Sequence, residues 1–178
     1  MKFCVLIPAY NCAHVIDKVV QRLNLSGPDD EIIVVDDGSR DSTLEVARAL
    51  PRVHAVRNSV NLGYGGTSQR LYEIAFERGA DYTVNLHGDL GHRPEDVPLV
   101  LQLLLEGQYD LVMGSRLKYL MNLRDQHGWR SLFLAQARQN MPITRVLGHF
   151  GLTWFQNKCF GTHLHSFHEG MRGATRAV

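Results

Sequence analysis

Short, almost entirely apolar runs are the feature that most restricts the fold of this chain. The first occupies residues 3–7 and the second residues 31–35. Runs of this length without polar alternation are typical of strands buried on both faces, as in a parallel sheet covered by helices. Weaker runs follow at residues 53–57, 82–86 and 109–113. The sequence therefore predicts five strands in its first 115 residues.

Helix-like segments separate the predicted strands. Asn11 can cap a first helix, in which apolar residues recur at helical spacing. Ser42 and Glu45 have the spacing of a capping box, which predicts a second helix through Leu50. Strand and helix alternate with short links, and such links require crossover connections. We therefore predict an α/β fold, an open and mostly parallel twisted sheet with helices on both faces.

Two further helices are predicted in the same half of the chain. The glycine-rich segment 61–67 is interpreted as a loop that leads into a helix ending near Gly79. It lacks the Gly-Lys-Ser/Thr ending of a phosphate-binding loop, and it does not match the G-x-G-x-x-G fingerprint. Pro94 fits the first turn of a helix that ends before Gly107.

The alternation stops after Ser115. Residues 116–140 are mixed and basic, without a recognisable strand, and residues 147–155 predict a helix or part of one. We interpret the change near residue 115 as a change of role inside one domain that spans residues 1–178, with halves at 1–115 and 116–178. Lys118, Arg124, Arg130 and Arg138 are interpreted as solvated helix residues, with an anionic lipid surface as the alternative.

Composition excludes several classes of protein. The chain is 44% hydrophobic and 21% charged, which argues against disorder, and its formal charge of +1 gives no global indication of nucleic-acid binding. No apolar run reaches the roughly 20 residues that a bilayer requires. The three cysteines have no framework spacing. These features predict a reduced, cytoplasmic protein, with peripheral contact at the cytoplasmic membrane face and a homo-oligomer both left open.

Polar residues follow four of the five predicted strands. Ligands of open α/β sheets bind at the carboxyl ends of the strands. Asp-Gly sequences form turns in many proteins, but four polar strand ends on one edge favour a binding site. The polar residues are Tyr10 and Asn11, which follow Pro8, then Asp36 and Asp37, His87 and Asp89, and Arg116.

The residue types at these strand ends suit a nucleotide ligand. A carboxylate after the second strand can accept hydrogen bonds from a base or a ribose. Asp89 can hold a hard divalent cation, which would neutralise a diphosphate. Arg116 can bind a phosphate through its bidentate guanidinium.

The segments IPAYN (7–11), VVDDGS (34–39), NLGYGG (61–66) and GSR (114–116) resemble the ordered signatures of family 2 glycosyltransferases. The branch that they resemble most transfers sugars to dolichyl or polyprenyl phosphate. LHGD (86–89), Met141-Pro142 and FHEGMR (167–172) are similar to segments of a subgroup of that branch. Residues 117–139 match weakly.

The resemblance implies a nucleotide-sugar-binding glycosyltransferase fold of type A. It implies transfer of a sugar from a UDP- or GDP-linked donor, with inversion, to a lipid phosphate or glycan acceptor. Pro8, Tyr10, Asp36 and Asp37 would line the nucleoside pocket, with either aspartate as the base contact. Asn11 is a further candidate for nucleotide binding, and Asn61 and Gly63 are candidate walls of the site. Asp89 would bind the metal and the diphosphate, whereas Arg116, His168 and Arg172 would face phosphates.

Two departures from the family pattern affect the expected Mn²⁺ or Mg²⁺ ion. His87 occupies the first acidic position of the usual Asp-x-Asp, and Gly91 takes the place of a glutamine. Imidazole suits Mn²⁺ better than Mg²⁺, so His87 and Asp89 are the expected metal residues. Cys159, His163, His165 and His168 do not match a structural zinc spacing.

Two rival functions follow from the same residues. The departures at His87 and Gly91 favour a catalytically weak or inactive nucleotide-sugar-binding module or partner subunit. A nicotinamide-dependent oxidoreductase is the weaker alternative, because the glycine fingerprint is missing.

Overall fold

The computed structural model describes residues 1–25, 27–114, 143–163 and 170–177. The chain forms two compact units. Met1–Met113 and Gly170–Val178 make up the first, and Gly114–Glu169 makes up the second. The C-terminal segment therefore belongs to the first unit, whereas the predicted halves divide at residue 115.

The first unit is built on one sheet with the strand order β3-β2-β1-β4-β6-β5. Strands β1 to β4 run parallel, and β6 is antiparallel to both β4 and β5. The predicted mostly parallel sheet is confirmed, and all five predicted strands are present. The strands are β1 (Phe3–Ala9), β2 (Glu31–Asp36), β3 (Val53–Arg57), β4 (Tyr82–Asn85), β5 (Leu111–Met113) and β6 (Arg172–Thr175).

Helices cover both faces of this sheet because alternate residues of the central strands point to opposite sides. Val5 and Ile7 of β1 belong to a core that also contains Ile16 and Leu104, whereas Leu6 packs in a second core with Leu71. The helices are α1 (Ile16–Gln21), α2 (Thr43–Arg48), α3 (Gly63–Glu77) and α4 (Val97–Leu105), the last preceded by a 3-10 turn at Pro94–Asp96.

Strand β1 continues through Pro8, where the sequence predicts its end. Pro8 is in register with Val35 of β2, but Leu6 is the last residue of β1 that pairs with β4. The Leu6 carbonyl accepts from Leu86, so the even-numbered residues of β1 bond toward β4. Pro8 would therefore bond toward β4, but pairing with β4 has already ended at that point. Because no hydrogen bond to β4 is lost, β1 tolerates a proline there.

The predicted side-chain caps do not form, and α1 begins later than a cap at Asn11 would require. Helix α1 begins at Ile16 without a side-chain cap, so Asn11 does not cap it. Ser42 precedes α2, but neither half of the expected capping box forms. The glycine-rich segment is also not a loop throughout, because α3 begins at Gly63.

The second unit contains helix α5, Ile143–Phe160. The prediction of a helix at residues 147–155 is confirmed, and the helix is longer at both ends. No described helix has the combination of length and apolar character that crossing a membrane requires.

Strand β6 is an element that the sequence pattern does not predict. Its sequence, Arg-Gly-Ala-Thr, has neither an apolar run nor β-branched enrichment. Gly173 fits between the sheet and α4: a Cβ atom there would lie 2.4 Å from Cγ1 of Val100 and 3.0 Å from Cδ1 of Leu104. A glycine is needed here for close packing.

Replacing Gly173 with alanine should therefore destabilise the first unit, by about 1–3 kcal/mol, as overpacking of a buried site does. Gly65→Ala is the matched control, because a Cβ atom at that helical position meets nothing within 4 Å. That control should stabilise the protein by roughly 0.5–1 kcal/mol. Urea unfolding measures the change in the free energy of unfolding for both variants. A Gly173→Ala variant more stable than the wild type would contradict the close packing of Gly173 against Val100 and Leu104.

Candidate active site

A cleft of about 450 Å³ opens at the carboxyl ends of β1, β2 and β4 in the first unit. Residues from three strand ends and from the start of α3 line it. They are Pro8, Ala9, Tyr10 and Cys12, then Asp37, Asn61, Gly63, Tyr64 and Thr67, and finally His87, Gly88 and Asp89. The structure thus brings together most of the residues that the strand ends predicted.

The two consecutive aspartates after β2 have different surroundings. The side chain of Asp36 is fully buried and pairs with Nε of Arg57 at 2.5 Å. It also accepts from the backbone N–H of Ser39 at 3.1 Å. Asp36 does not line the cleft. Its contacts hold the turn and β3 together, so the structure does not support its predicted place in the nucleoside pocket.

Asp37 is the acid that reaches the cleft, although only 5% of its surface is exposed. Its Oδ1 accepts from Nδ2 of Asn58 and from the backbone N–H of Leu62, both at 2.8 Å. Burial alone would raise the pKa of Asp37. The hydrogen bonds from Asn58, Leu62, Thr67 and Gly63 outweigh burial and lower it. Asp37 is therefore ionised at neutral pH.

Asn58 positions this carboxylate. It is 2% exposed, and its Nδ2 donates to Asp37 and to Oγ1 of Thr67. Arg70 donates from Nη1 to the Asn58 Oδ1 at 2.5 Å. Because a guanidinium can only donate, the amide oxygen must face Arg70 and the amide nitrogen must face Asp37. Sequence patterns did not single out Asn58, Thr67 or Arg70, although Asn58 follows β3 at the same sheet edge.

The loop after β1 is joined to the loop after β2. Asn11 has a positive φ of 49°. Its backbone N–H donates to Oγ of Ser39, and its Oδ1 accepts from the N–H of Arg40, both at 2.8 Å. Asn11 is therefore a loop clamp that does not line the cleft, whereas its neighbour Tyr10 lines it with 51% of its surface exposed.

An aromatic stack forms one side of the cleft after β4. The rings of His87 and Tyr64 are parallel within 10° and their centroids lie 4.8 Å apart. His92 lies 5.8 Å from His87 on a tilted plane. Gly170 is adjacent, because a Cβ atom on it would lie 2.5 Å from both Cδ2 of His87 and Nε2 of His92. The segment that leads into β6 thus packs directly on the imidazole rings.

Asp89 extends into the same cleft from an exposed turn. One carboxylate oxygen, Oδ1, accepts from the backbone N–H of Gly91 at 2.8 Å. Leu90 between them has a positive φ of 59°, which shapes the turn. Gly91 therefore holds Asp89 through its backbone.

The remaining predicted site residues lie elsewhere. Arg172 is the first residue of β6 and is in register with Asn85 and Met113, the last residues of β4 and β5. That register places it at the carboxyl-end edge of the sheet, but it is not among the residues that line the cleft. Arg116 and His168 lie outside the described residues.

His87 and Asp89, the two predicted metal residues, both line the cleft and would offer one nitrogen and one carboxylate. Within the described residues, no group of three or more His, Cys, Asp and Glu side chains is arranged to hold a metal ion. His87 is stacked against Tyr64, while Asp89 is exposed. This donor set fits an ion that Asp89 holds together with ligand phosphates and water, and it does not fit a site closed by protein alone.

A family model, described as glycosyl transferase family 2, matches residues 4–167. Among curated proteins, the UDP-N-acetylglucosamine–dolichyl-phosphate N-acetylglucosaminyltransferase of Methanococcus voltae is 28% identical over 97% of the chain and 69% of that protein. The undecaprenyl-phosphate mannosyltransferase of Micrococcus luteus is 34% identical over 65% of the chain and 49% of that protein. The chain spans between about half and two thirds of the length of these relatives.

Solved structures resemble the chain in fold. Glucosyl-3-phosphoglycerate synthase from Mycobacterium tuberculosis matches with a TM-score of 0.60 and 22% identity, covering 99% of this chain and 58% of that one. Mannosyltransferase PcManGT from Pyrobaculum calidifontis, solved with GDP-Man and Mn²⁺, matches with a TM-score of 0.59 and 14% identity. The match covers 98% of this chain and 44% of the PcManGT chain. The fold is therefore the type A glycosyltransferase fold.

Proposed function

The chain belongs to glycosyltransferase family 2, and from this premise we propose that its cleft binds a nucleoside-diphosphate sugar and transfers the sugar to a polyprenyl or dolichyl phosphate. The relatives from Methanococcus voltae and Micrococcus luteus are named for transfer to dolichyl and undecaprenyl phosphate, which supports this acceptor class. Inversion at the anomeric carbon is part of the proposal, as the family resemblance implies.

The observation that carries the proposal is the fixed, ionised carboxylate of Asp37. Its hydrogen bonds leave it as an acceptor for ligand N–H or O–H groups in a cleft of nucleotide size. Exposed Tyr10 lies on the same cleft and offers a flat ring on which a base can stack. We propose Asp37, rather than Asp36, as the base or ribose contact.

The diphosphate is proposed to lie toward Asp89, which lines the same cleft. A carboxylate beside a diphosphate requires a cation between them, and the donor set of Asp89 and His87 fits Mn²⁺ held largely by the ligand. When bound, such an ion would neutralise charge on the diphosphate leaving group. A lipid phosphate acceptor is already anionic near neutral pH, so the protein's task is to position it and to exclude water. Arg116, His168 and Arg172 are proposed as its phosphate contacts.

The second candidate is a nucleotide-sugar-binding module with little or no turnover. The stacking of His87 on Tyr64, at the first acidic position of the resembled Asp-x-Asp pattern, favours it. Both candidates require donor binding, and transfer separates them.

A thermal-shift panel of UDP-, GDP- and dTDP-sugars, with and without Mn²⁺, tests donor binding. A specific donor at about 100 times its Kd should stabilise the protein by roughly 2.7 kcal/mol. The matching nucleoside monophosphate serves as the control and should stabilise the protein less. A flat response to every nucleotide sugar would refute the proposal, and a response accompanied by transfer to polyprenyl phosphate would exclude the inactive module.

A further inference from the structure

We propose that helix α5 lies on the surface of an anionic lipid bilayer and holds the second unit there. The inference extends the proposed function, because a lipid phosphate acceptor is confined to a membrane. It rests on a different part of the chain, however, and it can be tested without donor or acceptor.

The charge of the chain is divided unequally between its two units. Gly114–Glu169 contains seven Lys or Arg residues and two Asp or Glu residues, a formal charge of +5. The first unit contains twelve Lys or Arg and sixteen Asp or Glu residues, a formal charge of −4. Asp125 and Glu169 are the acids of the second unit, so residues 126–168 contain none. The second unit is therefore basic, although the formal charge of the whole chain is only +1.

Helix α5 exposes large apolar side chains in this basic unit. Leu152 is 45% exposed, Trp154 66% and Phe155 58%. Thr153, between Leu152 and Trp154 in sequence, is buried and marks the buried side of α5. At about 100° per residue, the three apolar residues and exposed Lys158 spread over roughly 160° of the opposite side.

The chemistry of this face matches a lipid headgroup region. Tryptophan has an apolar ring with one polar N–H and is enriched at membrane interfaces. Lys158 is four residues after Trp154, so its stem can lie beside the apolar residues while its ammonium group meets lipid phosphates. The acid-free sequence around the helix adds attraction for an anionic surface, to which each nearby Lys or Arg contributes.

Vesicle co-sedimentation of the full chain tests the proposal. Vesicles of phosphatidylcholine with about 30% phosphatidylglycerol should retain the protein, vesicles of phosphatidylcholine alone should retain much less, and salt should release it. The chain has two tryptophans, Trp129 and Trp154. In a Trp129→Phe variant, the fluorescence of Trp154 alone should shift to the blue on addition of the anionic vesicles.

Matched substitutions distinguish vesicle binding through this face of α5 from nonspecific binding. Trp154→Ser with Phe155→Ser, and separately Lys158→Glu, should each weaken vesicle binding by about tenfold or more. Leu99→Ser with Leu105→Ser, and Lys18→Glu, change equally exposed residues on helices of the acidic unit and should leave vesicle binding within about twofold. Thermal melts should show every variant folded, and donor stabilisation without vesicles should remain in the α5 variants.

Several results would overturn the proposal. Equal binding to both kinds of vesicle would remove the role of charge, and unchanged binding by the α5 variants would place the contact elsewhere. A wild-type dimer that the α5 substitutions dissociate would show that a second copy covers this face. If the wild-type protein bound no nucleotide sugar, the proposed function would be refuted, whereas the vesicle result would still stand.

Discussion

Replacing Asp89 with asparagine should reduce sugar transfer by about 100- to 1,000-fold, the usual effect of removing one electrostatic contact to a transition state. The substitution nearly preserves shape, because the asparagine Oδ1 can still accept from the N–H of Gly91 and keep the turn. It removes the negative charge that, in the proposed site, fixes a cation against the diphosphate. The proposed base and ribose contact is Asp37, a different residue of the cleft, so donor binding should weaken much less than turnover.

Initial rates with a short-chain polyprenyl phosphate and a radiolabelled donor measure this effect, and Mn²⁺-dependent thermal shifts measure cation binding directly. Asp29→Asn is the matched control, since Asp29 is an exposed carboxylate just before β2, at the opposite end of the strands. It should leave both quantities unchanged. Transfer by Asp89→Asn at the wild-type rate would exclude Asp89 from the reaction.

Replacing Asp37 with asparagine should lower donor affinity by roughly 10- to 150-fold, corresponding to about 1.5–3 kcal/mol for a hydrogen bond to a charged group. The asparagine oxygen can retain the bonds from Asn58 and Leu62, so the fold should change little. Its amide nitrogen would then present a donor where the proposed base or ribose contact needs an acceptor.

Asp36→Asn should have the opposite pattern. Asp36 is buried against Arg57 and does not line the cleft, so its loss should lower stability, by about 3–5 kcal/mol at most because Arg57 is partly exposed. Donor affinity of the folded protein should persist. Calorimetric titration and urea unfolding of both variants give the comparison, and similar affinity losses in the two would argue against the separate roles assigned to them.

Asp36 and Asp37 follow the apolar run of residues 32–35, and this position shows how much of the site the sequence could specify. The run predicts β2, and the fold places its end at the ligand edge, so the location of the acids was predictable. Which acid turns into the cleft depends on Arg57 and Asn58, at the end of β3. Those partners are far away in sequence, and a residue-by-residue pattern does not contain them.

The same distinction applies to the fold. The apolar runs predicted β1 to β5 because a strand buried on both faces must be apolar, whatever its neighbours. Strand β6 owes its place to tertiary fit: Gly173 is accepted because Val100 and Leu104 leave no room for a side chain. The helix starts were limited in the same way by tertiary contacts. Asn11 is a residue type favoured at helix N-caps, but it bonds to the loop after β2.

The antiparallel strand near the C terminus also constrains the order of assembly. Strand β5 pairs with β6 and has no neighbour on its other side in the described sheet, so it cannot join until β6 is in place. Residues 114–171 must be synthesised before that can happen, and a loop of such length is slow to close. During synthesis, β1 to β4 can form first, and the edge of β4 stays unpaired until β6, which lies far along the chain, has been made. A chaperone or the ribosome surface could protect that edge in the interval, and truncation before Arg172 should leave it open to aggregation.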